Sequence, residues 1–483
     1  MTLRSALALA LLAALASPAP GGAAPPGRLP GLVRGLSDAS YFNSPDPAVR
    51  ALGLQRTRQA AGRFVRIQLS WSYVTRKAST PELARDPGWD GYEFDYVDRI
   101  VREAVAAGLE PLVVVKNAPA QFEAPRRWRF APRGTWAPSP AAYGDFAVAV
   151  ARRYSGEWPD RRHPGATLPR VRYWQAWNEP NHPAYLQPQW IAQDGRWLPY
   201  SPTHYRRMLV AFDAGIHAWQ PDAVVLTAGT APIGEADGVG RMPPVRFWQS
   251  FFCLGRPPAL SPSPCPSPAR FDVFAHHPFS VGDPDRARRP PDDASIADLH
   301  RLLRILHAAE RTGRAGGAVP HPVWVTELNW DSRPPDPKGL PAALQRRWIA
   351  RALYRMSAEG VQAVFWHFIT DPPDPRHPAG LWHDDDPRGR AFGRPKPALA
   401  AFRFPFVAIR GTEARVRVWG LLPGPGATRA AIDRRVHRRW RRVGSVAVSA
   451  AGVLEGELAV RGSAVLRARA GFTVSPAWRV GPG

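Results

Sequence analysis

The stretch RYWQAWNEPNHPAY runs from Arg172 to Tyr185, and its reading decides the fold. It is a strand-like apolar run, rich in aromatics, that stops at Trp177 and then sets Asn178 and Glu179 side by side before Pro180. A carboxylate in that place is either well paired or useful. The rest of the chain says which.

Runs of the same kind recur. Short β-rich apolar segments stand at Gly31–Leu36, Phe64–Leu69, Pro111–Lys116, Val171–Trp177, Ala223–Ala228, Phe271–Ala275, Pro322–Thr326 and Val361–Trp366. Helix-compatible material lies between several of them. FDYVDRIVREAVAA (Phe94–Ala107) repeats apolar residues at three- and four-residue spacing and ends at Gly108. Tyr143–Tyr154, Thr203–Trp219, Ser295–Ala309 and Pro341–Ala358 follow the same pattern. Strands that alternate with helices require a parallel sheet. Eight repeats, with no glycine-rich nucleotide fingerprint after the first strand, predict an α/β fold of the closed (β/α)₈ TIM-barrel type over an open doubly wound sheet.

Beyond Val407 the texture changes. ARVRVWG, SVAVSA, LEGELAV, VLRARA and FTVS are short alternating runs separated by glycine-containing turns. They predict a small C-terminal all-β sandwich-like domain. The expected organisation is a signal peptide and proline-rich leader over residues 1–24, a barrel over 25–406 and an accessory β domain over 407–483. The last is expected to cover an exposed face of the barrel rather than to bind carbohydrate.

The bulk composition sets limits. With 483 residues, 45% of them hydrophobic and 22% charged, the chain can build a large core and is not globally disordered. Its 55 prolines and 41 glycines are scattered, which implies many irregular loops. The net charge of +24 comes almost wholly from arginine, since lysine occurs only at Lys77, Lys116, Lys338 and Lys396. Coding bias explains that charge better than a nucleic-acid footprint, because no recognition motif accompanies it. The densest basic run is RRVHRRWRR, Arg434–Arg442. The N-terminus begins with a short basic stretch and the apolar run Ala6–Ala16, then small residues and prolines. That run is too short to span a bilayer and fits a secretory signal peptide, with cleavage expected after Ala16 or Ala24. The mature protein is expected to be secreted, without a membrane span, and monomeric. Cys253 and Cys265, the two cysteines of an exported chain, are expected to form one structural disulfide.

In a (β/α)₈ barrel the chemistry sits where strands end and loops begin. The second run ends with Arg66 and Trp71 near the mouth, the fourth with Asn178 and Glu179, the sixth with His276 and His277, the seventh with Glu327, and the eighth with Trp366 and His367. Two glutamates from distant strands would thus meet at one rim, among an arginine, a histidine and aromatics. Two convergent carboxyl groups suit glycosidic-bond cleavage: one, protonated, helps the leaving oxygen depart, and the other, ionised, attacks the anomeric carbon or activates water. The structural alternative is a pair of salt bridges to the abundant arginines. It is competitive for either glutamate alone and weak for both together.

These residues carry a resemblance. WNEPN (Trp177–Asn181), TEL (Thr326–Leu328), VRIQLSW (Val65–Trp71), AHHPF (Ala275–Phe279), FWHF (Phe365–Phe368) and GRPKPALAAF (Gly393–Phe402) make the chain resemble the clan A glycoside hydrolases, the broad cellulase and β-xylosidase superfamily of (β/α)₈ barrels, over roughly 31–406. The resemblance implies Glu179 as acid/base and Glu327 as nucleophile of a retaining hydrolysis. It implies Asn178 on the sugar 2-hydroxyl, Arg66 holding Glu327 ionised, His277 lining the site, and Trp71 and Trp366 as further substrate contacts, with Trp366 as the floor on which the sugar stacks. His276 is expected to be a packed neighbour. No cofactor and no metal are implied, and the partner is a carbohydrate. One position departs from the pattern: the tyrosine often found two places beyond the histidine is Phe279 here.

Two loops that follow strands are long. Asn117–Pro140 carries Trp128 and Trp136, and Asn181–Pro202 carries Tyr185, Trp190, Trp197 and Tyr200. Their rings either offer platforms to sugars or pack beneath the loops. The acidic run Asp384–Asp386 is expected to be a solvated turn. Two rival functions remain open at this level: an inactive secreted barrel that binds cell-envelope glycan, and an arginine-driven nucleic-acid binder.

Overall fold

The computed structural model describes residues 27–482 apart from 267, 281, 373–376 and 385–392. The expected signal run, its cleavage sites, and Asp385 and Asp386 lie outside the described residues.

Eight parallel strands form the first sheet: β1 (Val33–Ser37), β2 (Phe64–Ser70), β3 (Glu110–Lys116), β4 (Tyr173–Ala176), β5 (Val224–Leu226), β6 (Phe274–His276), β7 (Val323–Leu328) and β8 (Val361–His367). They neighbour one another in the order β5-β4-β3-β2-β1-β8-β7-β6. Parallel bridges Leu226–Val273 and Thr230–His276 join the two ends of that series and close the circle. Helices α1 (Pro47–Gln59), α2 (Asp95–Ala106), α3 (Pro140–Arg153), α4 (Ser201–His217), α5 (Pro244–Phe251), α6 (Leu299–Arg311), α7 (Ala342–Ala358) and α8 (Pro397–Arg403) stand between and after the strands. Local chemistry starts them. Asp46 accepts from the Ala48 N–H ahead of Pro47, and Ser139 accepts from the Ala142 N–H ahead of Pro140. Each pairs a side-chain cap with a proline in the first turn, where no backbone donor is missed.

Side-chain alternation along the strands sorts the barrel into two cores. Phe64, Leu112, Tyr173, Leu226, Trp324 and Phe365 point inward and pack on one another, with Phe64 set 5.0 Å from the Tyr173 ring and 5.3 Å from that of Trp324. Their neighbours Val65, Ile67, Leu69, Val113, Val115 and Trp174 point outward under the helices. Because successive strand residues face opposite sides, this inner core fixes which residues higher on each strand face the barrel's axis.

Two expectations shift. The sixth strand lies at Phe274–His276 rather than Phe271–Ala275, since Asp272 is a buried anchor: its Oδ2 accepts from the Val225 N–H. His217, at the end of α4, sits between Asp213 and Asp272. Burial disfavours its charge, but the two carboxylates overcome that and lift its pKa to about 10. The loop Asn181–Pro202 contains a hairpin, Trp190–Gln193 with Arg196–Pro199. Its turn is Asp194–Gly195, both at positive φ (51° and 72°). Asp-Gly between apolar runs is a strong hairpin signal.

Residues 406–480 form one antiparallel sheet: β9 (Phe406–Thr412), β10 (Arg415–Leu421), β11 (Arg429–Val436), β12 (Arg439–Val448), β13 (Val453–Ala459), β14 (Ala464–Ala470), β15 (Thr473–Val474) and β16 (Trp478–Val480). It packs on the barrel's flank. Trp419 meets Tyr354 of α7 at 5.6 Å, Arg347 of α7 lies 5.1 Å over Trp478, and Arg34 of β1 donates to Leu422 O at 2.8 Å. The basic run Arg434–Arg442 is the tip of the β11–β12 hairpin. Cys253 and Cys265 are joined in a disulfide. Among the described residues no helix is long and apolar enough to cross a membrane.

Phe64 is the hub of the inner core. Phe64→Ala is expected to lower unfolding stability by about 3–5 kcal/mol, read as a shift of the urea midpoint.

Candidate active site

The alternation that builds the inner core sets a ring of polar residues above it. Counting in steps of two from Phe64, Leu112, Tyr173 and Phe365 reaches Arg66, Lys116, Gln175 and His367. At β7 the count is broken. The pairing of β7 with β8 slips by one residue between Val325 and Leu328. Such a bulge re-aims a side chain, and here Glu327 joins the cluster around Arg66 while Leu328 remains in the outer core.

WNEPN is held by the same kind of irregularity. Trp177 and Glu179 both take positive φ, 75° and 36°, a costly conformation for residues with a Cβ that persists only where the surroundings fix it. The fixing contacts are specific. Trp177 Nε1 donates to Tyr185 O at 3.0 Å, and the Glu179 N–H donates to Gly229 O at 3.0 Å. Asn181 clasps the loop after β5: its amide donates to Ala231 O and Met242 O, and its oxygen accepts from the Ala231 N–H.

Arg66 lies at the centre and is 1% exposed. Its Nε donates to Gln175 Oε1 (2.8 Å), one terminal nitrogen to Glu327 Oε1 (2.5 Å) and the other to Asn178 Oδ1 (2.8 Å). Gln175 in turn donates to Thr326 Oγ1 at 3.0 Å. The Thr326 hydroxyl is then free to donate to His277 Nε2, 2.9 Å away. That leaves the imidazole hydrogen on Nδ1, 3.0 Å from Glu179 Oε1. The two glutamates therefore have different supports, a guanidinium behind Glu327 and an imidazole behind Glu179. Their side chains are 11% and 12% exposed, whereas those of Arg66 and His277 are 0% exposed. The acids face the opening and their partners stand behind them.

Carboxylate oxygens of Glu179 and Glu327 and a ring nitrogen of His277 all lie within 4.8 Å of one another. Burial pushes the Glu327 carboxyl up, but the basic side chains around it, His277, Arg66, His367 and Lys116, outweigh that and hold Glu327 below the usual carboxylate range. The same trio could hold a cation by distance. With Arg66 already bonded to Glu327 and Lys116 close by, proton exchange suits it better than a second dication-sized charge.

The structure brings Arg66, Asn178, Glu179, His277 and Glu327 together as expected. Two aromatics it does not. Trp71 stacks on Phe122 (5.1 Å) and Phe146 (5.5 Å) beneath α3, and Trp366 packs on Trp330 and on Phe402 of α8 while its Nε1 donates to Ala379 O. Both follow the outward parity of their strands, so neither floors the site. The inward residue at the end of β8 is His367, whose Nδ1 lies 2.9 Å from Ser37 O. His276 is a packed neighbour, held by Thr230 Oγ1 and Ala294 O. Phe279 sets its ring across that of His277 at 6.2 Å. Sequence reasoning set His367 at the end of the eighth run without giving it a part, and passed over Lys116, Gln175 and Thr326; parity from the inner core finds all four. Of the loop aromatics, Trp190 is buried and Trp128 and Trp197 are about half exposed (52% and 47%). Tyr185 borders the acids: burial, Glu179 and Glu327 all raise its phenol pKa.

No protein-family model matches the chain, and no curated protein matches it. Solved structures do. A family 39 glycoside hydrolase from the gut symbiont Bacteroides cellulosilyticus WH2 aligns over 88% of this chain and 79% of its own, with 16% identity and a TM-score of 0.50. A monomeric beta-xylosidase from Caulobacter crescentus CB15 aligns over 94% and 97%, with 15% identity and a TM-score of 0.49. At such identities the likeness is one of fold, and the first of the two carries it.

Removing Arg66 would leave Glu327 buried without its charge partner. Arg66→Met is expected to destabilise the fold by about 3–5 kcal/mol at neutral pH. Glu327 is depressed in the folded state, so its ionic contribution is present above the ordinary carboxylate pKa and is lost as pH falls through the lower folded value. The deficit of the variant, measured by urea unfolding, should therefore narrow on acidification. A Cβ on Gly229 would stand 2.1 Å from His277 Nε2. Gly229→Ala should thus displace the imidazole, seen as shifted His277 ring resonances with circular dichroism unchanged.

Proposed function

We propose that the protein is a secreted retaining glycoside hydrolase that cleaves O-glycosidic bonds of a poly- or oligosaccharide by double displacement. One observation carries the proposal: two glutamates from strands three apart in the barrel approach each other, with one carboxylate oxygen of each within 4.8 Å of the other. So near an approach favours the roughly 5–5.5 Å between carboxyl groups of retaining sites over the roughly 6.5–9.5 Å that leaves room for water in inverting ones. The fold likeness to a family 39 glycoside hydrolase points the same way. The basic start and the apolar run Ala6–Ala16 support export.

The asymmetry of the two supports favours one division of roles. Glu327, held as an anion, attacks the anomeric carbon. As the carbon–oxygen bond to the leaving group breaks, Glu179 gives its proton to the departing oxygen. The sugar is then an ester on Glu327. Water next loses a proton to Glu179 while its oxygen attacks the same carbon, and Glu327 leaves as carboxylate. Asn178 is poised for the sugar 2-hydroxyl. Its oxygen is engaged by Arg66, and its NH₂ has no partner among the described residues, so it can donate to that hydroxyl. The Arg66 bond to Glu327 lengthens its life as an anion and orients it for in-line attack.

A panel of 4-nitrophenyl glycosides in both anomeric series tests the reading. Turnover is expected for at least one member, with the first-formed sugar keeping the substrate's anomeric configuration by NMR. Glu179→Gln should lose about 10²–10⁴-fold on an unactivated substrate such as the matching alkyl glycoside or disaccharide, and less on the 4-nitrophenyl glycosides; Glu327→Gln should be inactive while folded. Near-normal turnover by Glu327→Gln, or an inverted product, overturns the mechanism. Binding of glycan without turnover in the unaltered protein would favour the inactive barrel.

A further inference from the structure

Lys116 is the one lysine of the barrel mouth's inner ring, and it acts on the acids there without being bonded to either. It ends β3, paired in register with Ser70 of β2. It faces inward by the same parity that places Arg66 there. Its ammonium has no hydrogen bond and no carboxylate within ion-pair distance among the described residues. It stands over the face of Tyr185, 5.5 Å from the ring centroid. It is nonetheless close enough to the reacting groups to feel them: burial lowers its pKa, Glu327 and Glu179 oppose that fall, and Arg66 adds to it. A half-buried ammonium without a partner is costly unless something else completes it.

The charges of the site show what would complete it. In the state that begins the reaction, Glu327 is an anion and Glu179 carries its proton. Arg66 balances Glu327, bonded to it directly. Lys116 is then a surplus positive charge near the two acids, in a setting of low dielectric where such a charge acts strongly. A neutral sugar leaves it uncompensated. A sugar with a carboxylate brings the four groups and the substrate to neutrality.

We propose that Lys116 is the anion anchor of this site and that the glycosyl unit cleaved is a uronosyl residue, its carboxylate bound by the Lys116 ammonium with Tyr185 beneath. The inference rests on the hydrolase reading above and extends it to a substrate class. The acidic sugar also suits a protein with a net charge of +24, whose field would draw polyanionic chains toward it.

The test uses the full mature chain and 4-nitrophenyl glucuronides and galacturonides against the matching glucosides and galactosides, in both anomeric series. The unaltered protein should prefer the uronosides. Lys116→Met should reduce that preference, as a ratio of kcat/KM values, by roughly 10- to 100-fold, the worth of one hydrogen bond to a charged group. Lys116→Arg should retain most of it. An equal loss on acidic and neutral substrates would mean that Lys116 only keeps Glu327 ionised, and would overturn the proposal. Turnover of neutral glycosides with none of uronosides overturns the proposal while leaving the hydrolase reading intact. If no glycoside is turned over, the hydrolase reading falls. The anchor is then judged by calorimetry with an oligouronide, where binding that disappears in Lys116→Met supports it and binding unaffected by that change refutes it.

Discussion

A single buried guanidinium organises the mouth of this barrel. Arg66 is almost wholly removed from water, and a charge so placed must be surrounded by acceptors or it would destabilise the fold. Its acceptors come from four places in the chain: Gln175 on β4, Asn178 just beyond it, Glu327 on β7 and, more distantly, Ser37 on β1 at 3.4 Å. Each of those groups is thereby fixed to the same point. A planar fork of donors holds partners at set angles in a way that a point charge on a flexible stem does not. The arginine thus acts as a positioning residue for both glutamates, for Glu327 directly and for Glu179 through Gln175, Thr326 and His277.

Much of this was legible in the sequence, and the reason is periodicity. Eight apolar runs separated by helical segments gave the barrel, and polar residues at run ends gave the two glutamates, Arg66, Asn178 and His277. What failed was the orientation of large aromatics. Trp71 and Trp366 sit at strand ends, and an indole there suggests a sugar platform. Both belong to the outward set, on the same side as Leu69 and Val364, and both pack beneath helices. Had parity been counted from the inner-core residues Phe64 and Phe365, it would have excluded both and selected Lys116 and His367 instead. Parity alone, however, would have turned Glu327 away, because Trp324 and Thr326 face inward. The bulge that rescues it is a backbone irregularity with no residue signature of its own. The Asp194–Gly195 turn was the opposite case, a clear local signal inside a stretch treated as loop.

The two domains answer a different constraint. Helices around a parallel barrel leave apolar flanks that need cover. Here α7 is covered by the C-terminal sheet, and the buried apolar core runs without interruption from the barrel into Val416, Val418 and Leu454. Arg34 reinforces the join: burial and the nearby Arg403 charge lower its pKa to about 9, yet it donates to the carbonyls of Arg403 and Leu422, one on each side of the boundary. Its contacts with α7 give the sheet a structural part at the flank. Nothing in them requires a sugar.

The proposed chemistry finally depends on making two like groups unlike. Two carboxyls this close cannot both ionise freely, and their environments must decide which keeps the proton. Glu327 stands before a permanent cation, which holds it as an anion throughout the ordinary pH range. Glu179 stands before an imidazole whose own hydrogen bond ends on a neutral hydroxyl. An imidazole can follow a change of charge on its partner, because its two nitrogens exchange roles with little rearrangement. A guanidinium cannot. In the hydrolysis proposed above, the fixed partner suits the group that would stay charged until attack, and the adaptable partner suits the group that would release a proton in one step and recover it in the next. That division is written in the strand positions: Arg66 lies opposite Glu327 because parity on β2 and a bulge on β7 point them at one another, and His277, just beyond β6, lies 3.0 Å from the Glu179 carboxylate just beyond β4.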